Sequence, residues 1–185
     1  MTKRQNFSYE PLLASNAPDP QPVGGIHRAK YDFAIAYPDP DTLPLEDIVT
    51  SLREGLDEEG RDLAVYPHPA GYPPLREFVA AKLKRDRDIH AAPDDIILGA
   101  GSSHAIHMVI ETLLDPGDVV FTEDYVYSGT LRALARFHAD VRGVECDEEG
   151  MMPEALDSAI YRALEDGKRP KIVYLIPTFQ NPQGM

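Results

Sequence analysis

Ile96-Ile97-Leu98-Gly99-Ala100-Gly101-Ser102-Ser103-His104-Ala105 is the stretch on which the reading of this chain turns. Ile96, Ile97 and Leu98 read as a strand, and a Gly-x-Gly turn follows. Ala105, Ile106, Val109, Ile110, Leu113 and Leu114 then recur at the spacing of one helix face. A strand that passes through a glycine turn into a helix is the first half of a strand-helix-strand unit. The second half lies immediately downstream. Asp115-Pro116-Gly117-Asp118 stops the helix and Val119-Val120-Phe121 opens a strand. Beyond it the pattern predicts a short helix over 131–137 and a strand over 141–144. A further helix is expected over 154–164, carrying Ala155, Leu156, Ile160 and Leu164 on one face, and a buried strand over 171–176. Short apolar strands alternating with helices predict an α/β fold. Its sheet is mostly parallel, helices cover the faces, and ligands gather at the carboxyl ends of the strands.

Upstream, Tyr66-Pro67-His68-Pro69-Ala70-Gly71-Tyr72-Pro73-Pro74 is too rich in proline to be anything but a shaped loop. Pro74 then opens a helix with Leu75, Phe78, Val79, Lys82 and Leu83 on its apolar face; Arg76, Lys84, Arg85 and Arg87 are assigned to water. An earlier helix is expected around Ile48, Val49, Leu52 and Leu56, closed by Gly60. Asp32-Phe33-Ala34-Ile35-Ala36 reads as a short strand broken by Pro38, Pro40 and Pro44. Residues 1–30 show no period and read as an extended arm or tail.

Composition narrows the function classes. The chain has 185 residues, and 18 Lys and Arg against 31 Asp and Glu leave a formal net charge of −13. That balance repels phosphate backbones and anionic lipid, which argues against nucleic-acid or membrane partners. No apolar run approaches the roughly 20 residues of a membrane span. The basic start lacks the apolar core of a signal peptide. The single cysteine, Cys146, cannot close an internal disulfide, and a cytoplasmic location is expected.

Three segments at strand ends carry chemistry. In the first, Gly101, Ser102 and Ser103 offer unpaired N–H groups, the positive end of a helix dipole and two hydroxyls to an anion such as a phosphate. Glu123-Asp124-Tyr125-Val126-Tyr127-Ser128-Gly129 supplies an aromatic ring, and Pro177-Thr178-Phe179-Gln180-Asn181-Pro182-Gln183-Gly184 an amide donor. Taken singly, each has a plainer reading, as a helix cap, a packing tyrosine and a turn. A Gly-x-Gly turn also opens dinucleotide-binding and methyl-donor folds. Together the three equip one sheet edge to hold a flat, phosphorylated aromatic molecule, of which pyridoxal phosphate is an example. His104 and His107 have no third ligand in view and read as helix residues.

From Tyr31 to the end, the ordered motifs resemble the N-terminal half of the class I and II aminotransferases, pyridoxal-phosphate enzymes of fold type I. They are most similar to the branch of 2-aminoadipate and kynurenine aminotransferases. Tyr66 with Gly71-Tyr72-Pro73-Pro74-Leu75-Arg76 resembles that family's Tyr…Gly-x-x-x-Leu-Arg block. Gly101-Ser102-Ser103-His104-Ala105 resembles its Gly-Ser-Gln-Gln-Ala turn, Glu123 to Gly129 its Glu-Asp-Pro-Thr-Tyr-x-Gly segment, and Pro177 to Gly184 its Pro-Thr-x-Gln-Asn-Pro-x-Gly segment.

The resemblance implies pyridoxal 5'-phosphate as cofactor and transfer of an amino group from an amino acid to a 2-oxo acid. It implies that Gly101, Ser102 and Ser103 hold the phosphate, Tyr127 stacks on the ring and Asn181 donates to the ring's phenolic oxygen. Tyr66 would reach the cofactor of a neighbouring subunit, so a homodimer is implied, and Ala36, Tyr37 and Asn181 would lie near the substrate. The departures are Tyr125 for a proline, Ser103-His104 for Gln-Gln, and Ala36 for a glycine. In family terms, 1–30 is an arm, 31–60 the start of the small domain and 61–185 the first part of the large cofactor-binding domain. The Schiff-base lysine of a Ser-x-x-Lys loop is missing. The lysines are Lys3, Lys30, Lys82, Lys84, Lys168 and Lys171, and none fits. The expectation is therefore an N-terminal portion, inactive by itself. The alternatives are a non-catalytic fragment or interaction protein with the same fold, a pyridoxal-phosphate-dependent lyase or regulator domain of the same family, and a nucleotide-binding oxidoreductase or methyltransferase.

Overall fold

The computed structural model describes residues 8–14, 17, 30 and 37–184. The chain divides into two compact units, Met1–Pro67 and His68–Met185. In the first, α1 spans Leu45–Glu59 and ends at Gly60, as its apolar spacing predicts. The expected strand at 32–36 and most of the arm at 1–30 lie outside the described residues.

The second unit holds α2 (Pro73–Arg87), α3 (Ser102–Leu113), β1 (Val119–Glu123), α4 (Ser128–Arg136), β2 (Asp140–Val144), β3 (Cys146–Asp147), β4 (Gly150–Met151), α5 (Pro153–Glu165) and β5 (Pro170–Tyr174). β2, β1 and β5 form a parallel sheet in that order. β1 is its central strand, and all five of its residues are buried.

Strand alternation splits the core in two. Val119 and Phe121 pack with Val144 against Ala159 and Ala163 of α5. Val120 points the other way and packs with Ile110 and Leu114 from the α3 side and Leu134 of α4. The crossover from β1 to β2 runs through α4, and the return from β2 past β1 to β5 runs through α5. Reversing direction while keeping one handedness forces these helices onto opposite faces. The connections diverge at β1, so a crevice is expected outside the carboxyl ends of β1 and β5. Among the described residues, no helix is long and apolar enough to cross a membrane.

Two local expectations are corrected, and one element is additional. Among the described residues, Ile96-Ile97-Leu98 forms no ladder. Ile96 is extended, but the segment's tie to the neighbouring loop is a single bond from Leu98 N–H to the Ala70 carbonyl. Arg76, assigned to water, is only 4% exposed. Its Nε donates to the carbonyls of Pro93 and Ile96, each at 3.0 Å, and its Nη2 to Asp94 at 2.8 Å. A guanidinium can be buried when its donors are used in this way. The β3–β4 hairpin, pairing Cys146 with Met151, was not anticipated.

At the amino-terminal edge of the sheet, charge closes the structure. Arg169, just before β5, grips Asp118 through Nε at 2.7 Å and Nη2 at 2.8 Å, and Nη2 also reaches Asp115 at 2.7 Å. Hydrogen bonding from Arg169, with the Asp115 N–H second, holds the Asp118 carboxyl down at about 2. The two carboxylates raise the pKa of Arg169 in return. Midway along β2, Arg142 reaches back to Asp140 at the strand's start (3.2 Å) and across to Asp166 (3.1 Å), and its hydrogen bond lowers the pKa of Asp140.

Candidate functional site

α3 and α4 both point their amino termini towards the carboxyl edge of the sheet. Only five residues separate the end of α3 from the start of β1, and α4 begins five residues after β1 ends. Chain connectivity thus places both helix starts at the same edge.

The turn into α3 is shaped for an anion. Gly101 is the N-cap, with φ +80° and ψ 172°, a backbone region open essentially only to glycine. Having no side chain, it leaves the cap position unfilled, and nothing lies within 4 Å of where a Cβ would project. The first helical bond runs from Ala105 N–H to the Gly101 carbonyl, so the N–H groups of Ser102, Ser103 and His104 have no acceptor within the helix. Both serines are exposed. His104 faces back into the turn, where its Nδ1 accepts from Ala100 N–H at 3.0 Å. The neutral ring therefore carries its proton on Nε2. Three free N–H groups, two hydroxyls and the dipole's positive end suit a phosphate-sized dianion.

Tyr127 is the N-cap residue of α4, and its carbonyl accepts from Thr130 N–H at 3.0 Å. Its ring folds back over Gly129, where a Cβ would lie 2.8 Å from the ring's Cζ, so any side chain at this position would displace the ring. The ring remains 43% exposed and can offer its face to a flat ligand. After β5 the chain turns at Asn181, which precedes a cis peptide bond to Pro182 and is exposed to solvent.

The Asn181 and Tyr127 loops are brought together by two residues that sequence reasoning passed over, Glu123 and Gln180. Both are buried, at 5% and 4% exposure. The Gln180 amide nitrogen donates to Glu123 Oε2 and to the Tyr125 carbonyl. The same Glu123 oxygen accepts from Ile176 N–H at 3.1 Å, and Gln180 Oε1 accepts from Gln183 N–H at 2.9 Å. Both stand at matched positions of the two resembled segments, but nothing in the sequence marks them as partners. Tyr66 and Tyr37 lie in the other unit, Tyr66 almost fully exposed and Tyr37 45% exposed; Ala36 lies outside the described residues.

Known proteins resemble the chain in both sequence and fold. Residues 34–185 match the family model described as aminotransferase class I and II. The aromatic-amino-acid aminotransferase 1 of Thermococcus litoralis is 32% identical over 153 residues, covering 83% of this chain and 37% of that protein. An archaeal alanine:glyoxylate aminotransferase superposes with a TM-score of 0.73 at 36% identity, over 80% of this chain and 36% of its own. An alpha-aminoadipate aminotransferase from Thermus thermophilus, complexed with N-(5'-phosphopyridoxyl)-L-leucine, gives a TM-score of 0.71 at 32% identity, over 82% and 36%. The chain thus spans little more than a third of the length of the relatives it matches.

Proposed function

The chain belongs to the class I and II aminotransferases, and from that premise we propose that it provides the cofactor-holding part of a pyridoxal-phosphate-dependent transaminase. The reaction moves an amino group from an amino acid to a 2-oxo acid. The observation that carries this reading is the uncapped turn at Gly101, Ser102 and Ser103 sharing a sheet edge with Tyr127 and Asn181. The donor set fits the cofactor, since the α3 N–H groups match its phosphate and an exposed phenol ring matches its pyridine face.

In this reading, Gly101, Ser102 and Ser103 hold the phosphate and Tyr127 covers the ring. Asn181 donates its side-chain amide to the phenolic oxygen and keeps that oxygen ionised. When bound, the cofactor supplies an electron sink for carbanion chemistry. None of the six lysines sits in a Ser-x-x-Lys sequence, so residues 1–185 position the cofactor without linking to it covalently and do not turn over alone. Tyr66 serves the cofactor of a second subunit in a homodimer, Ala36 and Tyr37 lie near the substrate, and the protein works in the cytoplasm on amino acid metabolism.

Titration with pyridoxamine 5'-phosphate tests the reading. Saturable binding that weakens about tenfold in Asn181→Ala is expected, the size of one lost hydrogen bond to a charged group. Saturable binding of a dinucleotide in its place would overturn it and favour the oxidoreductase alternative.

A further inference from the structure

We infer that Gln180 and Glu123 form a buried latch that holds the Asn181 loop and the Tyr127 loop as one unit. They are thus positioning residues for the site proposed above, and the inference rests on that reading only for the identity of what is positioned.

The geometry leaves little freedom in how the latch is drawn. Both partners of the Gln180 amide nitrogen, the Glu123 carboxylate and the Tyr125 carbonyl, are acceptors. The partner of its amide oxygen, Gln183 N–H, is a donor. The side chain can therefore stand in one orientation only, because a flipped amide would face like groups on both sides. Glu123 ends the central strand, and Tyr125 lies two residues before Tyr127. Ile176 and Gln183 flank Asn181 on either side, and each has its N–H taken by one member of the pair. A single buried contact thus ties the rigid strand β1 to both flanks of one loop and to the backbone of the other. No buried side-chain nitrogen or oxygen among the described residues lacks a partner, so removing either member leaves a buried polar group unsatisfied.

The latch predicts reciprocity, which two independent local bonds do not. Backbone amide exchange, followed by NMR on the whole chain without added ligand, measures it. In Gln180→Leu, Gln183 loses its direct acceptor, and Ile176, whose acceptor is on Glu123, should also exchange about tenfold faster. In Glu123→Leu, Ile176 is freed directly and Gln183 should follow. Glu123→Gln retains a carbonyl oxygen for both donors and should restore both amides to within about twofold of the parent. The amides of Val120 and Phe121 report that the sheet persists. Should a leucine variant fail to fold, Gln180→Asn withdraws the amide by one methylene and is read in the same way. Acceleration confined to the directly freed amide, or no rescue by Glu123→Gln, would overturn the inference. A parallel titration with pyridoxamine 5'-phosphate should show weaker binding in Gln180→Leu and near-parental binding in Glu123→Gln. If the parent binds none, the proposed function fails, while the exchange data still decide the latch.

Discussion

The two edges of the β2-β1-β5 sheet are built on opposite plans. At the amino-terminal edge, Asp115, Asp118 and Arg169, with Asp140, Arg142 and Asp166, satisfy one another in ion pairs that fasten the strand entries together. At the carboxyl edge the helix that follows the Gly101 turn starts without a side-chain cap, and Ser102, Ser103, Tyr127 and Asn181 stand exposed. The buried polar contacts there, Glu123 and Gln180, face inward and leave the outer donors uncommitted. Stability and reactivity are thus separated by the length of five-residue strands. Donors left open to solvent contribute no hydrogen bond to the fold, which is closed by ion pairs at the far end.

Breaking what the two edges share should have the largest effect. Phe121 is 1% exposed in the central strand, and Phe121→Ala should cost about 3–5 kcal/mol. Urea unfolding is expected to show a lower midpoint, with amide protection lost at both edges together. Gly101→Ala acts on the carboxyl edge alone. Nothing would touch the new Cβ, but the backbone conformation is nearly exclusive to glycine, so about 1–3 kcal/mol is expected. Affinity for pyridoxamine 5'-phosphate should fall, while protection of Val119 and Asp140 at the opposite edge is unchanged.

The smallest effect concerns pH. The carboxyl of Asp118 is held at about 2, below its ordinary 3.8, by Arg169. A depressed carboxylate pKa contributes stability that is complete above pH 4 or so and is lost as pH falls towards about 2. Arg169→Met should lower stability at neutral pH and flatten its dependence between those values, as measured by urea midpoints across the acid range. Binding at the carboxyl edge should be unaffected near pH 7.

Much of this was legible in residue order. The helices α1, α3 and α5 and the strands β1, β2 and β5 fall within a few residues of the spans predicted from apolar spacing, because long amphipathic periods and apolar runs have few alternative uses. Burial was predicted less well: β5, expected to be buried, alternates between half-buried and exposed residues, because it is an outer strand of the β2-β1-β5 sheet. The short β3–β4 hairpin carries no such period. The misplacement of Arg76 has a specific cause: helical spacing sends an arginine to the polar face. The carbonyls of Pro93 and Ile96 that draw it inward lie 17 and 20 residues away.

The candidate site divides along the same line. Gly101, Ser102 and Ser103 could be singled out from the sequence alone, because a helix start offers its N–H groups to whatever follows a glycine turn and needs no distant partner. Tyr127 and Asn181 could be named from their motifs. What holds their loops together could not, because Glu123 and Gln180 are 57 residues apart and become partners only when β5 pairs with β1. The sequence by itself determined the alternation of strands and helices and the chemistry carried at each strand end, since both follow from local periodicity and residue type. Only the tertiary structure decided which polar residues face inward to brace the site and which face outward to serve it. That choice depends on acceptors that chain folding alone brings within hydrogen-bond reach.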